Sequence, residues 1–190
     1  REEDELIEAK ITNGENDIVL GTREGKSIRF PESDARPMGR KTRGVTGIKL
    51  SSKHDYVVGM VVVRREGTLL VATEKGYGKR TDVVQYRIQK RSGKGVLAMR
   101  TNEKVGKMVA IMEVVDSDDL MVITDTGVLI RQPVESIRTI GRVTQGVKLI
   151  RLDEGAKISS LSRVAHVDTV EEEDPLSKPE EPTIEVKDTT

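Results

Sequence analysis

The sequence repeats itself every 51 residues, three times over, without a slip. Gly25, Gly76 and Gly127 share a phase, and so do Gly44, Gly95 and Gly146. Thr22, Thr73 and Thr124 recur in step, as do Val45, Val96 and Val147. Such regularity means one supersecondary unit used three times, its units burying their faces against each other. Within each unit a β-branched, apolar run (Asp17–Thr22, then Thr68–Thr73 and Asp119–Thr124) ends at Thr-x-x-Gly, where glycine supplies the positive φ of a tight hairpin. A return strand follows at Lys26–Phe30, Tyr77–Thr81 and Val128–Gln132. An irregular basic connection then leads to a fourth strand closing the unit, at Gly44–Leu50, Gly95–Thr101 and Gly146–Leu152.

One strand occurs four times rather than three: Leu6–Ile11, Val57–Val63, Met108–Val114 and Ile158–Val164. The surplus copy implies blades that share strands. Four short strands per unit with no helical periodicity predict an all-β, propeller-like array of four-stranded antiparallel blades. There is no Trp for a Trp-Asp blade, and one Phe with three Tyr is too few aromatics for a kelch blade. The expected organisation is three blades over 1–167 and a disordered acidic tail over 168–190.

Charge sharpens that division. The net charge is zero, yet from His166 onward there are nine acidic residues and two lysines. Residues 1–165 therefore carry 30 basic and 23 acidic residues. A basic body with an acidic, Pro-containing tail fits a polyanion-binding domain beside a solvating segment that competes for the same surface. No apolar run approaches a membrane span, so no membrane partner is expected. The absence of cysteine and of a secretory signal points to the cytoplasm. The chain opens at Arg1 in an acidic run, as expected of a piece of a longer polypeptide.

What the repeat keeps points to function. Nine of seventeen arginines fall in three phases: Arg29/Arg80/Arg131, Arg36/Arg87/Arg138 and Arg40/Arg91/Arg142. No acidic phase is kept in all three copies, so the arginines read as a cationic edge presented once per blade rather than as structural ion pairs. Lys41 and Arg43 thicken that edge in the first copy, and Lys79, Lys90 and Lys94 in the second. Arg100 and Arg151 lie in phase with Lys49. Glycine, serine and threonine beside these cations let a backbone approach a phosphate closely. Scarce aromatics argue against single strands, and the lack of a recognition helix against sequence readout. Double-stranded DNA is the expected ligand.

Catalytic readings are weak. His54 and His166 stand at unrelated positions, and a metal site is not expected. Gly25-Lys-Ser27 resembles the end of a phosphate loop, but Leu20 stands where the leading glycine must be, so the run is a hairpin turn. Tyr56, Tyr77 and Tyr86 lack an acid/base constellation in the sequence.

Three strings resemble a known family: Arg29-Phe-Pro-Glu-Ser-Asp-Ala-Arg-Pro-Met-Gly-Arg40, Gly76-Tyr-Gly-Lys-Arg-Thr81 and Ile140-Gly-Arg-Val-Thr-Gln-Gly-Val-Lys-Leu-Ile-Arg-Leu152. They resemble the C-terminal domain of the bacterial DNA gyrase A subunit, over roughly residues 4–164. The resemblance implies a β-pinwheel, normally six-bladed, with DNA wrapped on its basic rim so that an ATP-driven enzyme introduces negative supercoils. It implies the last three blades and the acidic tail. Gln89–Gly95 is similar to the family's wrapping motif in five of seven positions, with Lys90 for Arg and Ser92 for Gly, and by register is a later-blade counterpart. The catalytic tyrosine and ATPase regions have no match here. No cofactor is therefore expected in this chain, while the whole enzyme would use ATP and Mg, its partners being the ATPase B subunit together with the rest of the A subunit. Two alternatives remain: the C-terminal domain of the topoisomerase IV A-type subunit, or else a protein-binding propeller scaffold.

Overall fold

A computed structural model describes residues 5–165. The acidic tail expected over 168–190 lies outside the described residues. Among the described residues eleven strands occur in chain order: β1 Asp17–Thr22, β2 Lys26–Pro31, β3 Val57–Val63, β4 Thr68–Thr73, β5 Tyr77–Asp82, β6 Val96–Leu97, β7 Met108–Val114, β8 Asp118–Thr124, β9 Leu129–Pro133, β10 Val147–Lys148 and β11 Ile158–Ala165. They form three antiparallel sheets with spatial orders β3-β1-β2-β6, β10-β5-β4-β7 and β11-β8-β9. These are blades 1, 2 and 3.

The hairpins follow from the sequence as expected. Gly25, Gly76 and Gly127 adopt φ of 84°, 80° and 84°, a region in which a β-carbon would be strained. In the second and third hairpins the threonine that opens the turn also locks it: Thr73 Oγ1 donates to the Tyr77 carbonyl (3.2 Å), and Thr124 Oγ1 accepts from the Val128 N–H (3.0 Å).

Strand sharing runs further than the sequence suggests. The segment expected to close each unit closes the sheet of the unit before it: β6 pairs with β2 (Lys26↔Leu97, Ser27↔Val96), and β10 pairs with β5 (Tyr77↔Lys148, Gly78↔Val147). The expected strands at Gly95–Thr101 and Gly146–Leu152 shorten to two residues each. Gly44–Leu50 forms no strand, because no earlier return strand lies beside it among the described residues. Blade 3 correspondingly has three strands.

Leu6–Ile11 is not a strand either. Its equivalents β3, β7 and β11 pair with β1, β4 and β8, and β1 is already flanked on both sides. The segment instead runs along β3, with Glu8 Oε2 accepting from the Met60 N–H at 3.0 Å, and leaves Leu6 and Ile11 88% and 87% exposed.

The core sits between blades as much as within them. Val19 and Val61 of blade 1 pack with Leu69, Val71, Val83, Tyr86 and Met99 of the second unit. Leu70 and Val114 pack likewise with Leu120, Val122, Val134 and Ile137. Each such side chain contributes about 1.5–3 kcal/mol on burial. The seams between blades therefore hold the array together.

Candidate nucleic-acid interface

Each return strand runs into a single 3-10 turn: Glu32–Asp34, Val83–Gln85 and Val134–Ser136. The turn in the second and third units drops an apolar residue into the seam, Tyr86 at 1% exposure and Ile137 at 3%. Burial pushes the Tyr86 hydroxyl up to about 12, so it stays protonated. The chain then lies on the return strand of the preceding blade. Gln89 N–H donates to the Arg29 carbonyl at 2.8 Å, and Ile140 N–H to the Arg80 carbonyl at 2.9 Å. With its neighbour pinned inward, the next residue stands outward. Arg87 and Arg138 are exposed for this reason, and Arg36 is exposed at the same phase. None of the three forms an ion pair or hydrogen bond with another described side chain.

The other two arginine phases behave differently, and here the structure corrects the reading of all three as open edge. Arg29 Nε donates to Asp17 Oδ2 (2.8 Å) while its Nη1 reaches the Val83 carbonyl of the next unit (3.0 Å). Arg80 Nε donates to the Ile137 carbonyl (2.7 Å), and its guanidinium pairs with Asp116. Arg29 Nη1 also reaches the Tyr86 carbonyl (3.4 Å), and Tyr86 and Ile137 share a phase, so both arginines tie a return strand to the following turn. Arg131 keeps only the carboxylate half of this arrangement, Nε to Asp119 Oδ2 at 2.8 Å, with its side chain 54% exposed.

The third phase reaches the other way. Arg91 donates from its N–H to Asp34 Oδ2 (3.2 Å) and from Nε to the Asp34 carbonyl (3.0 Å), and its Nη1 meets the Thr46 carbonyl. Arg142 N–H donates to Gln85 Oε1 (3.2 Å), and its guanidinium to the Leu97 carbonyl. Asp34 and Gln85 share a phase, as do Thr46 and Leu97, so this too is one contact made twice. Arg40, at the same phase, is exposed and makes no such bond among the described residues.

Lys79 is also removed from the open edge. It is fully buried, and its ammonium donates to the Gly141 carbonyl (2.9 Å), the Arg142 carbonyl and Thr144 Oγ1 (3.1 Å). Burial first, and the nearby Arg142 cation second, lower its pKa to about 8. A lysine tied this way cannot meet an outside phosphate without dismantling a seam.

Apart from Arg131, which is exposed but paired with Asp119, the exposed remainder of the expected set is Arg36, Arg40, Lys41, Arg43, Arg87, Lys90, Lys94 and Arg138. Lys49, Arg100 and Arg151 are exposed as well; their shared phase is visible in the sequence. The seam role of the other arginines left a fainter trace there, since Asp17 and Asp119 keep a carboxylate in two copies of three while Thr68 breaks the pattern. Among the described residues no cluster of His, Cys, Asp or Glu could hold a metal ion, and no helix is long and apolar enough to cross a membrane. The arrangement offers fixed exposed cations on a scaffold of pinned turns, suited to a regular polyanion.

Comparison with known proteins matches the repeat unit by unit. A family model described as the DNA gyrase C-terminal domain, beta-propeller, matches residues 16–64, 67–114 and 118–165. The DNA gyrase A subunit of Escherichia coli (strain K12) is 46% identical over 171 residues, 90% of this chain and 19% of that protein. The DNA gyrase A subunit of Staphylococcus aureus (strain MRSA252) is 44% identical over 179 residues, 93% of this chain and 20% of that protein. The chain thus spans about a fifth of the length of these relatives. A solved DNA gyrase A C-terminal domain superposes with TM-score 0.73 at 24% identity, covering 79% of this chain and 51% of that one. A solved DNA topoisomerase IV C-terminal domain gives TM-score 0.76 at 24% identity, covering 81% and 48%.

Proposed function

The chain belongs to the DNA gyrase C-terminal domain family, and from that premise we propose that it binds double-stranded DNA through its exposed cations, largely without regard to sequence, and bends the duplex along the array. The observation that carries this reading is the Arg36/Arg87/Arg138 phase, exposed in all three units and free of carboxylate partners among the described residues. Evenly repeated guanidiniums suit evenly spaced phosphates, which they bind through paired N–H donors. Contact with phosphates positions a duplex but carries no sequence information. In the whole enzyme, a type IIA topoisomerase, this part would wrap DNA for negative supercoiling. Strand cleavage, ATP and Mg would belong to the B subunit together with the rest of the A subunit, in the cytoplasm. The fold likeness to the topoisomerase IV domain favours the same ligand with weaker wrapping as the second reading. Supercoiling of relaxed plasmid by the reconstituted enzyme separates the two.

The direct test is duplex binding against salt concentration. The eight exposed cations of the expected set other than the Asp119-paired Arg131 lie within a range of about six to ten phosphate contacts, for which affinity falls about 10³–10⁵-fold between 50 and 200 mM salt. Bending costs on the order of several kcal/mol per 20–30 bp, so successive blades must act together. Replacing Arg36, Arg87 and Arg138 with Gln is expected to weaken binding and to lower the log–log salt slope by about 0.9 for each phosphate no longer neutralised. A salt slope near zero in the unmodified chain would favour a protein-binding scaffold instead.

A further inference from the structure

The hairpin turns lie at the far end of the strands from the exposed Arg36/Arg87/Arg138 phase. β5 runs six residues from Tyr77 to Asp82, about 17 Å at strand spacing, before the turn that carries Arg87. At the Tyr77 end, the second seam leaves a cleft of about 350 Å³ between the blade 2 hairpin and the loop that leads into β11. Lys75 of the hairpin, Lys104 of the loop before β7, Lys148 of β10 and Lys157 before β11 line it, and the carboxylate among its lining residues is Asp153. All four lysines are exposed. Lys75 reaches the Glu103 carbonyl, and Lys148 stands 6.0 Å over the Tyr77 ring. Neither of these, nor Lys104, pairs with a carboxylate among the described residues, and Lys157 stands 3.8 Å from Glu74.

The first seam does not repeat this arrangement. The phases of Lys75, Lys148 and Lys157 there hold Glu24, Leu97 and Gly106, and Glu24 pairs with Lys107 at 2.6 Å. Charge kept in every unit belongs to the surface the units share, whereas charge gathered in one seam marks a separate site. The hairpin end of the first seam stays open although a further unit follows it, with Lys53 exposed and Lys26 half-buried, so this face is not the one by which a unit covers its neighbour. We propose that the cleft of the second seam binds a linked-phosphate anion of two or more phosphate groups, recognised by its charge alone. Ammonium groups gathered in one cleft repel each other, and a multivalent anion relieves that repulsion. Lysines meet phosphate oxygens as point charges on flexible stems, without the fixed fork of arginine. The volume stands at the small end of ligand clefts, about 300–1,000 Å³, and suits a compact anion rather than a duplex. An anion held between Lys75 of one unit and Lys148 and Lys157 of the next bridges the seam, so its binding stabilises the fold.

The test is isothermal titration of the intact chain at low salt, without divalent cations, using inorganic triphosphate, inorganic monophosphate and a nucleoside triphosphate in separate runs. One saturable site is expected for inorganic triphosphate, with monophosphate weaker by about tenfold or more. Lys104→Gln combined with Lys148→Gln changes two exposed residues, and circular dichroism checks that the fold is kept. This pair is expected to weaken triphosphate binding by about tenfold or more, while Lys26→Gln combined with Lys53→Gln at the first seam changes it by less than about twofold. Triphosphate should raise the melting temperature of the unmodified chain and not that of the Lys104/Lys148 variant. Duplex affinity of that variant should stay close to that of the unmodified chain. The absence of a saturable site, equal affinity for monophosphate, binding of the nucleoside triphosphate alone, or equal losses in the two double variants would each overturn the proposal. A loss of duplex affinity as large as that from replacing Arg36, Arg87 and Arg138 would overturn it as well, because the cleft would then be part of the duplex surface.

Discussion

The seam between blades 1 and 2 and the seam between blades 2 and 3 pair the same strand positions, and their chemistry parts most sharply at one point. In the first, Ile28 is buried with its Cδ1 against Gly93, where a Cβ would stand 3.3 Å away. In the second, the same two phases hold Lys79 and Thr144, and the ammonium bonds the threonine hydroxyl and the neighbouring carbonyls. An apolar side chain over a glycine has been exchanged for a buried cation over a hydroxyl. Both solutions fill the space, but they fail differently. The apolar seam loses burial when cut back, while the polar seam is left with an unpaired acceptor, the Arg142 carbonyl.

That difference gives the largest predicted effect. Lys79→Ile copies the first seam's residue into the second without its glycine, and strands the Arg142 carbonyl, while the Gly141 carbonyl keeps the Thr144 hydroxyl as a donor. A loss of about 2–3 kcal/mol is expected by denaturant unfolding, towards the upper end of the cost of an acceptor left unpaired because the lost donor is charged. Adding Thr144→Gly should recover part of it; no recovery would show that the two seams are not interchangeable at this point. The lysine also gives its seam a pH response. Its pKa is about 8 against an ordinary 10.5, so between those values the unfolded chain binds a proton that the folded chain does not. Stability contributed here is therefore lowest below pH 8 and rises towards pH 10.5. A gain on the order of 1–3 kcal/mol is expected relative to Lys79→Ile, which lacks this response.

The Arg29/Arg80/Arg131 phase sharpens the comparison by adding the blade edge at which no following unit is described. Side-chain exposure runs 17%, 8% and 54%. Arg29→Ala and Arg80→Ala are each expected to cost about 1.5–3 kcal/mol, the worth of hydrogen bonds from a charged donor in a half-buried site. Arg131→Ala should cost less than about 1 kcal/mol. Equal losses at all three positions would mean that the turn carbonyls contribute nothing.

The fold was legible in this sequence because a 51-residue period fixes which glycines turn and which β-branched runs pair. The exchange of strands between units was only half legible. Periodicity shows that Gly95–Thr101 belongs to a strand, but not whether it joins its own sheet or the previous one. That choice is made by packing between Tyr86, Met99 and the preceding blade, which no local pattern reports. The same limit hid the seam arginines. A guanidinium on a backbone carbonyl, as in Arg80 to Ile137 or Arg142 to Leu97, needs no acidic partner, so searching for kept carboxylates could not find it. Arg87 and Arg138 were legible as exposed cations because each directly follows the residue that anchors its turn.

The smallest predicted effect separates the seams at their connecting loops. Ser92 alone among the described non-glycine residues has a positive φ, 67°, while Val143 at its phase does not. A left-handed conformation costs an L-residue about 1–2 kcal/mol. Ser92 offsets that cost by donating from its N–H to the Gly47 carbonyl and from Oγ to the Thr46 carbonyl, both at 2.7 Å. Ser92→Gly removes the strain but also the Oγ bond, worth about 0.5–1.5 kcal/mol, and adds flexibility to the unfolded chain. The net change should lie within about 0.5 kcal/mol of zero. Ser92→Ala keeps the strain and loses the bond, so it should destabilise by about 1 kcal/mol. Equal stability of the alanine and glycine variants by denaturant unfolding would show that the backbone relaxes and that the first seam stores no strain in this loop.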